Sequence, residues 1–144
     1  MLKKSPMIVS ADDKGKVKIW DIRNYKCVQT LDFRDKTNIT RLLDMMPLGM
    51  IGVFGSRINF VQFDEKMEIQ KRNQNKEKVY PLWVDCDYGS HELIVLTKKD
   101  LRIYDLVKGV IKSIYCEFHA EDQEITSFKY LEAVRKFLIG NEKG

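Results

Sequence analysis

A tetrapeptide pattern that occurs three times limits what this chain can fold into. Ile19-Trp20-Asp21-Ile22 is matched by Ile103-Tyr104-Asp105-Leu106, and a decayed copy, Phe60-Val61-Gln62-Phe63, lies between them. The three copies begin 41 and then 43 residues apart. A period of about 40–45 residues that closes on a Trp-Asp pair is typical of a repeat fold in which each repeat contributes four short strands.

Strand patterns fill each repeat in the same order. Short apolar or alternating segments are separated by turn residues such as Asp12–Gly15 and Pro47–Gly49, and no helical periodicity is sustained. We therefore predict an all-β chain with repeats at residues 7–33, 39–70, 82–118 and 125–144, of which the first and the last are incomplete. The predicted strands are Met7–Ala11, Lys16–Ile22, Cys27–Phe33, Ile39–Asp44, Met50–Phe54, Ile58–Phe63, Lys66–Gln70, Leu82–Cys86, Leu93–Thr97, Leu101–Leu106, Val110–Cys116, Ile125–Leu131 and Lys136–Gly140.

This pattern resembles the WD-repeat β-propellers over nearly the whole chain. The resemblance implies a partial WD-repeat β-propeller across residues 1–144, with about three four-stranded blades plus the start of another. In that family the Trp side chain packs between blades, and its indole N–H joins hydrogen bonds with a Ser or Thr, an Asp and a His. The positions that match are Ser10, Asp12 or Asp13, Trp20 and Asp21 in the first repeat, and Thr97, Tyr104 and Asp105 in the third.

A narrower resemblance is carried by residues 22–30 and 124–144. These segments are similar to the EF-hand-associated WD-repeat proteins of motile cilia. The resemblance implies a cytoplasmic protein, placed in the ciliary axoneme on a microtubule assembly. The chain itself carries no EF-hand, because Asp12-Asp13-Lys14-Gly15 lacks the further acidic ligands of that calcium loop.

Motifs of catalysis and of ligand binding are missing from the sequence. It contains no nucleophile elbow, no phosphate-binding P-loop and no dinucleotide fingerprint, and His91 and His119 have no partners at metal-ligand spacing. We expect no enzymatic activity, no cofactor, no metal and no small-molecule substrate. No apolar run approaches the roughly 18 residues of a membrane span, so no membrane association is expected. The three cysteines lack Cys-x-x-Cys spacing and predict buried, reduced thiols.

Two charged segments are candidate interaction loops. The first is residues 71–78, predicted as an exposed loop between blades, and the second surrounds His119 in another predicted loop. Conspicuous loop charge indicates either a binding epitope or an ordinary solvated loop, and the sequence leaves both open. The candidate residues are Lys71, Arg72, Lys76, Lys78, His119, Glu121 and Asp122.

The function that these observations predict is a rigid scaffold for other proteins within a large assembly. The alternative is an RNA- or ribosome-associated propeller, which the net charge of +4 and the basic segment at residues 71–78 favour. Nucleic acid is the weaker prediction, because the 25 basic residues are interspersed with 21 acidic ones. Since propeller sheets are protected by closure, we expect flanking sequence or another chain to supply the remaining blades.

Overall fold

A computed structural model describes residues 6–33, 38–64, 66, 68–74, 77–115 and 125–143. These residues form thirteen strands and two single-turn 3-10 helices, at Met46–Leu48 and Glu132–Val134. None of the helices in the described ranges is long and apolar enough to cross a bilayer. The strands are β1 (Met7–Ala11), β2 (Lys16–Asp21), β3 (Lys26–Asp32), β4 (Arg41–Met45), β5 (Met50–Phe54), β6 (Ile58–Phe63), β7 (Ile69–Gln74), β8 (Pro81–Asp87), β9 (Glu92–Thr97), β10 (Leu101–Asp105), β11 (Val110–Tyr115), β12 (Ile125–Leu131) and β13 (Lys136–Asn141).

The strands form four antiparallel sheets, and within each sheet the strands pair in the order in which they follow along the chain. The sheets are β1–β3, β4–β7, β8–β11 and β12–β13, with three, four, four and two strands. All thirteen predicted strands are present, and twelve have bounds within two residues of the prediction. The all-β prediction is therefore confirmed.

The exception is β7, which lies three to four residues later than predicted. The Asp64 amide donates to the Glu68 carbonyl oxygen at 2.9 Å, and Asp64 Oδ1 accepts from the amides of Lys66 and Glu68 at 2.9 and 2.8 Å. This turn extends to Glu68, so pairing resumes only at Phe63 with Ile69. The prediction of an exposed loop across residues 71–78 is wrong for Lys71 and Arg72, whose backbone belongs to β7.

The turn between β1 and β2 has the same construction around Asp12. The Asp12 amide donates to the Lys16 carbonyl oxygen at 2.9 Å, and Asp12 Oδ1 accepts from the amides of Lys14 and Lys16 at 3.0 and 2.8 Å. An aspartate that caps its own turn in this way supplies backbone donors with the partner that water would otherwise provide. Asp12 therefore makes the turn, and its neighbour Asp13 is exposed there.

The chain divides into two compact units, residues 1–80 and residues 81–144, called here the N-terminal unit and the C-terminal unit. Each unit contains two of the sheets. Alternation builds the core of the N-terminal unit: Val17 and Ile19 are buried, whereas Lys16 and Lys18, which alternate with them, are exposed. Its apolar cluster joins the first two sheets and consists of Val17, Ile19, Leu31, Phe33, Ile51, Val53, Val61 and Phe63.

A second apolar cluster joins the two sheets of the C-terminal unit. Ile94, Leu96 and Leu101 of the four-stranded sheet are buried together with Tyr130 of β12. The partly buried Trp83 packs against this cluster, as its alternating position in β8 predicts. Other side chains packed on it are Ile103, Ile125, Phe128, Phe137 and Ile139.

Four-residue turns whose last residue is in the left-handed backbone conformation recur in both units. Between the first and second strands of a repeat these residues are Gly49, His91 and Arg135, with φ of 68°, 56° and 51°. Between the third and fourth strands they are Tyr25 and Gly109, with φ of 56° and 70°. Glycine adopts this conformation freely, whereas a residue with a Cβ atom is strained in it.

Candidate interaction surface

The side chain of Trp20 makes the first hydrogen bond that the WD-repeat resemblance implies. Its Nε1–H donates to Ser10 Oγ on the neighbouring strand at 2.9 Å. The ammonium of Lys18 lies 5.6 Å from the centre of the indole, within the range of a cation–π contact. Both contacts come from the sheet that contains Trp20, and packing of the indole between blades stays a prediction.

Thr97 fixes a tight hairpin between β9 and β10. Its hydroxyl donates to Asp100 Oδ1 at 2.7 Å and accepts from the Lys99 and Asp100 amides at 3.0 Å. The Asp100 carboxylate also accepts from Arg102, with Nε and the second terminal nitrogen both within 3.0 Å. Hydrogen bonding to Asp100 raises the pKa of Arg102 above its ordinary value. The threonine of this repeat thus holds its own hairpin closed.

The aspartates of the Trp-Asp and Tyr-Asp pairs cap the turns that follow them. Asp21 Oδ1 accepts from the Arg23 amide at 2.9 Å, and Asp105 Oδ1 accepts from the Val107 and Lys108 amides at 2.9 Å. The side-chain hydrogen bond from Arg23 lowers the pKa of Asp21, and the backbone hydrogen bond from Lys108 lowers that of Asp105. Their role in this structure is therefore to hold exposed turns in one conformation.

Two buried acids at the ends of β8 and β9 form a site that the sequence reasoning missed. Asp87 is 3% exposed, and its carboxylate accepts from Tyr130 Oη at 2.8 Å and from the Ser90 amide at 3.0 Å. Glu92 is 5% exposed and pairs with Lys112 on β11 and with Arg135, whose terminal nitrogen lies 3.1 Å from Oε2. Tyr130 lies on β12 and Arg135 in the turn between β12 and β13, so both acids tie the two sheets of the C-terminal unit together.

The hydrogen bonds keep both acids ionised despite their burial. Burial raises the pKa of Asp87, but the hydrogen bonds from Ser90 and Tyr130 outweigh it, and the net pKa is lowered. The hydrogen bond from Lys112 lowers the pKa of Glu92, with Arg135 adding to the effect. Burial and the bond to Asp87 in turn raise the pKa of the Tyr130 hydroxyl. A signal for these pairs was present in the sequence, since each joins residues 43 positions apart, which is one repeat.

The turn between β2 and β3 presents a cationic and aromatic surface. Tyr25 is 86% exposed, and the Arg23 side chain is 68% exposed although its Nε and terminal nitrogen bind Asp21 at 3.0 and 2.7 Å. Asn24 Oδ1 accepts from the amide of Lys26, the first residue of β3, at 3.0 Å. The sequence predicted a turn here but not that the tyrosine would occupy its left-handed position.

The candidate loops of the sequence analysis are only partly described. Lys78 is exposed, whereas Lys76, His119, Glu121 and Asp122 lie outside the described residues. The residues that the structure describes contain no group of three or more metal-ligating side chains.

The prediction of buried thiols is wrong for Cys27, which is exposed because β3 is an edge strand of its sheet and most of its residues are exposed. Cys86 is buried, and burial raises the pKa of its thiol to about 12. Cys116 lies outside the described residues.

Comparison with known proteins supports the fold and leaves the function open. No family model matches this chain, and no curated protein matches it. Among solved structures 459 similar chains are found, and one of them is Raptor from Chaetomium thermophilum, with a TM-score of 0.74 and 14% sequence identity. The match covers 98% of this chain but only 13% of the Raptor chain. Together with the four antiparallel sheets, it shows an all-β partial β-propeller.

Proposed function

We propose that this chain is part of a non-enzymatic WD-repeat scaffold that binds other proteins through its exposed turns. The observation that carries the proposal is the way carboxylates hold these turns. Asp21 and Asp105 are each bonded to backbone amides of the turn that follows, so the turn is ordered before any partner arrives. Ordering before binding lowers the entropy lost on association, which favours a surface that works by docking alone.

The described residues give little support for catalysis at this surface. The buried acids Asp87 and Glu92 have their oxygens engaged by Tyr130, Ser90, Lys112 and Arg135, and both pKa values lie below the ordinary range. A general acid would need a raised pKa and access to a substrate. These carboxylates are instead suited to holding two sheets together.

In its finer form, the proposal places the scaffold in the axoneme of motile cilia. Its support is the sequence resemblance of residues 22–30 and 124–144 to EF-hand-associated WD-repeat proteins. The test is to tag the full-length protein that contains this chain in multiciliated cells. Localisation along the axoneme, with axonemal proteins recovered by proximity labelling, is the expected result. A cytosolic or nuclear distribution would remove the ciliary placement and leave the scaffold proposal to be judged on its captured proteins.

A second experiment tests the competing function, which is RNA binding. Affinity for a uridine oligomer is measured while the salt concentration is raised. Phosphate contacts release counterions, so RNA binding would weaken steeply with salt. We expect weak affinity at any salt concentration, because acidic and basic residues are mixed along the chain. A tight, strongly salt-dependent affinity would contradict the protein-scaffold proposal.

A further inference from the structure

We propose that the turn Ile22–Tyr25, together with Lys26, is a docking site for an acidic, proline-containing segment of a partner protein. This inference rests on the proposed scaffold function and names the surface and the partner chemistry for it. Three observations carry it: the conformation and exposure of Tyr25, the fixed position of Arg23, and the balance of charge around them.

The first observation is a strained residue that the rest of the fold does not require. In the equivalent turn between β10 and β11 the left-handed position is occupied by Gly109, which fits without strain. The N-terminal unit instead has a tyrosine there with φ of 56°, and the residue is 86% exposed, so burial does not offset the strain. An exposed bulky residue held in such a conformation points to a role outside folding.

Strain alone does not single out Tyr25, because exposed His91 has the same φ. What distinguishes Tyr25 is its neighbours. The Arg23 guanidinium is held by two side-chain hydrogen bonds to Asp21, which is itself buried, and yet it remains 68% exposed. An arginine fixed in this way loses little side-chain entropy when its remaining N–H groups bind a carboxylate.

The balance of charge at the turn selects an anionic partner. Arg23 and Lys26 are exposed cations, residues 22–26 contain no acidic residue, and the carboxylate of Asp21 is only 7% exposed. The tyrosine ring adds a flat apolar surface of the kind on which proline rings stack. Tyrosine and arginine are also the residue types that dominate binding energy at protein interfaces. Carboxylates and prolines in one extended segment satisfy both features of the turn.

A protein segment fits this surface better than single-stranded nucleic acid does. Nucleic-acid grooves combine several aromatic platforms with a track of cations along the strand. This turn supplies one ring and two cations, which form neither a series of platforms nor a track. Such a small, rigid group suits one short peptide contact.

The test uses the full-length protein containing this chain and a fluorescent peptide in which glutamate and proline alternate over about ten residues. Binding is followed by anisotropy, and folding by thermal melting. Tyr25→Asn and Lys26→Glu are expected to weaken binding about fivefold or more, as loss of a hot-spot residue does. Asparagine tolerates the left-handed conformation, so Tyr25→Asn should also raise the melting temperature or leave it unchanged. Lost affinity with retained stability is a result that a merely structural tyrosine would not produce.

Tyr80→Asn and Lys78→Glu are the matched controls, since both residues are exposed and lie outside the turn. They should bind the peptide as the wild type does. The proposal is overturned if Tyr25→Asn binds normally, if a peptide alternating lysine and proline binds equally well, or if a uridine oligomer binds more tightly. Capture of cellular proteins separates the two proposals. Capture unchanged by Tyr25→Asn and Lys26→Glu overturns the docking site alone, whereas no capture by the wild type overturns the scaffold function.

Discussion

The two compact units hold their sheets together in different ways. In the N-terminal unit the cluster that joins the sheets is apolar, with Val17, Ile19, Val53 and Val61 fully or almost fully buried. In the C-terminal unit an apolar cluster is supplemented by ionised Asp87 and Glu92, which bind Tyr130 on β12 and Arg135 in the turn after it. One repeat pattern thus supports two kinds of junction between sheets.

The difference teaches what each junction depends on. Apolar contact depends on volume and is indifferent to pH, because none of its atoms titrates. A buried carboxylate depends on every hydrogen bond it accepts, and it loses much of their strength when it is protonated. Mutation and acid should therefore affect the two units differently.

The largest effect is expected in the apolar junction. Ile19 is 1% exposed, so Ile19→Ala should leave a cavity and lower the free energy of unfolding by about 2–5 kcal/mol, measured by urea denaturation. Lys16→Ala, on the exposed face of the same strand, is the control and should change stability by less than about 0.5 kcal/mol. A loss below about 1 kcal/mol for Ile19→Ala would show that the first two sheets are not held by this cluster.

Removing one hydrogen bond from the polar junction should have the next largest effect. Tyr130→Phe keeps the ring but deprives buried Asp87 of a donor, so we expect a loss of about 1.5–3 kcal/mol, the usual value for a hydrogen bond to a charged group. Tyr115→Phe is the control, because Tyr115 is 46% exposed. If both variants were equally stable, Asp87 would not link the sheets.

Acid should separate the two junctions. The folded-state pKa values of Asp87 and Glu92 are lowered, so the stability they contribute is present above the ordinary values of 3.8 and 4.5 and is lost as pH falls through the lowered ones. The deficit of Tyr130→Phe should therefore shrink as the pH falls below 3.8 through the lowered pKa of Asp87, whereas that of Ile19→Ala should stay constant. Urea denaturation of the wild type and both variants at a series of pH values measures the two deficits. Deficits that change in parallel would contradict the assignment.

The smallest effect is expected at the left-handed turn residues of the C-terminal unit. His91→Gly should relieve backbone strain and raise the free energy of unfolding by about 0.5–1 kcal/mol. Arg135→Gly relieves the same strain but removes a cation from Glu92, so it should be less stable than His91→Gly. Thermal melting of the two variants compares their stabilities. Equal melting temperatures would mean that Arg135 adds nothing to the polar junction.

Local pattern was sufficient to predict most of the fold and part of the site. Alternation in Lys16–Asp21 predicted which side chains are buried, and the resemblance to WD-repeat propellers implied the bond from Trp20 to Ser10. The start of β7 was missed because the turn that begins at Asp64 extends to Glu68. The residue types there would suit a shorter turn equally well. The exposure of Cys27 was missed because the residue types of a strand do not show whether a neighbouring element covers it, and β3 is an edge strand.

The sequence by itself determined the number and order of the strands, because alternation and turn residues act over a few neighbouring positions. Only the tertiary structure decided which charges are buried and which are free to bind. Asp87 and Glu92 look like ordinary surface acids until the next sheet brings Tyr130 and Arg135 against them. Tyr25 looks like an ordinary turn residue until the backbone places it at a position where glycine would fit better. Burial and backbone conformation depend on the packed chain, and contacts 43 residues apart are outside the reach of local pattern.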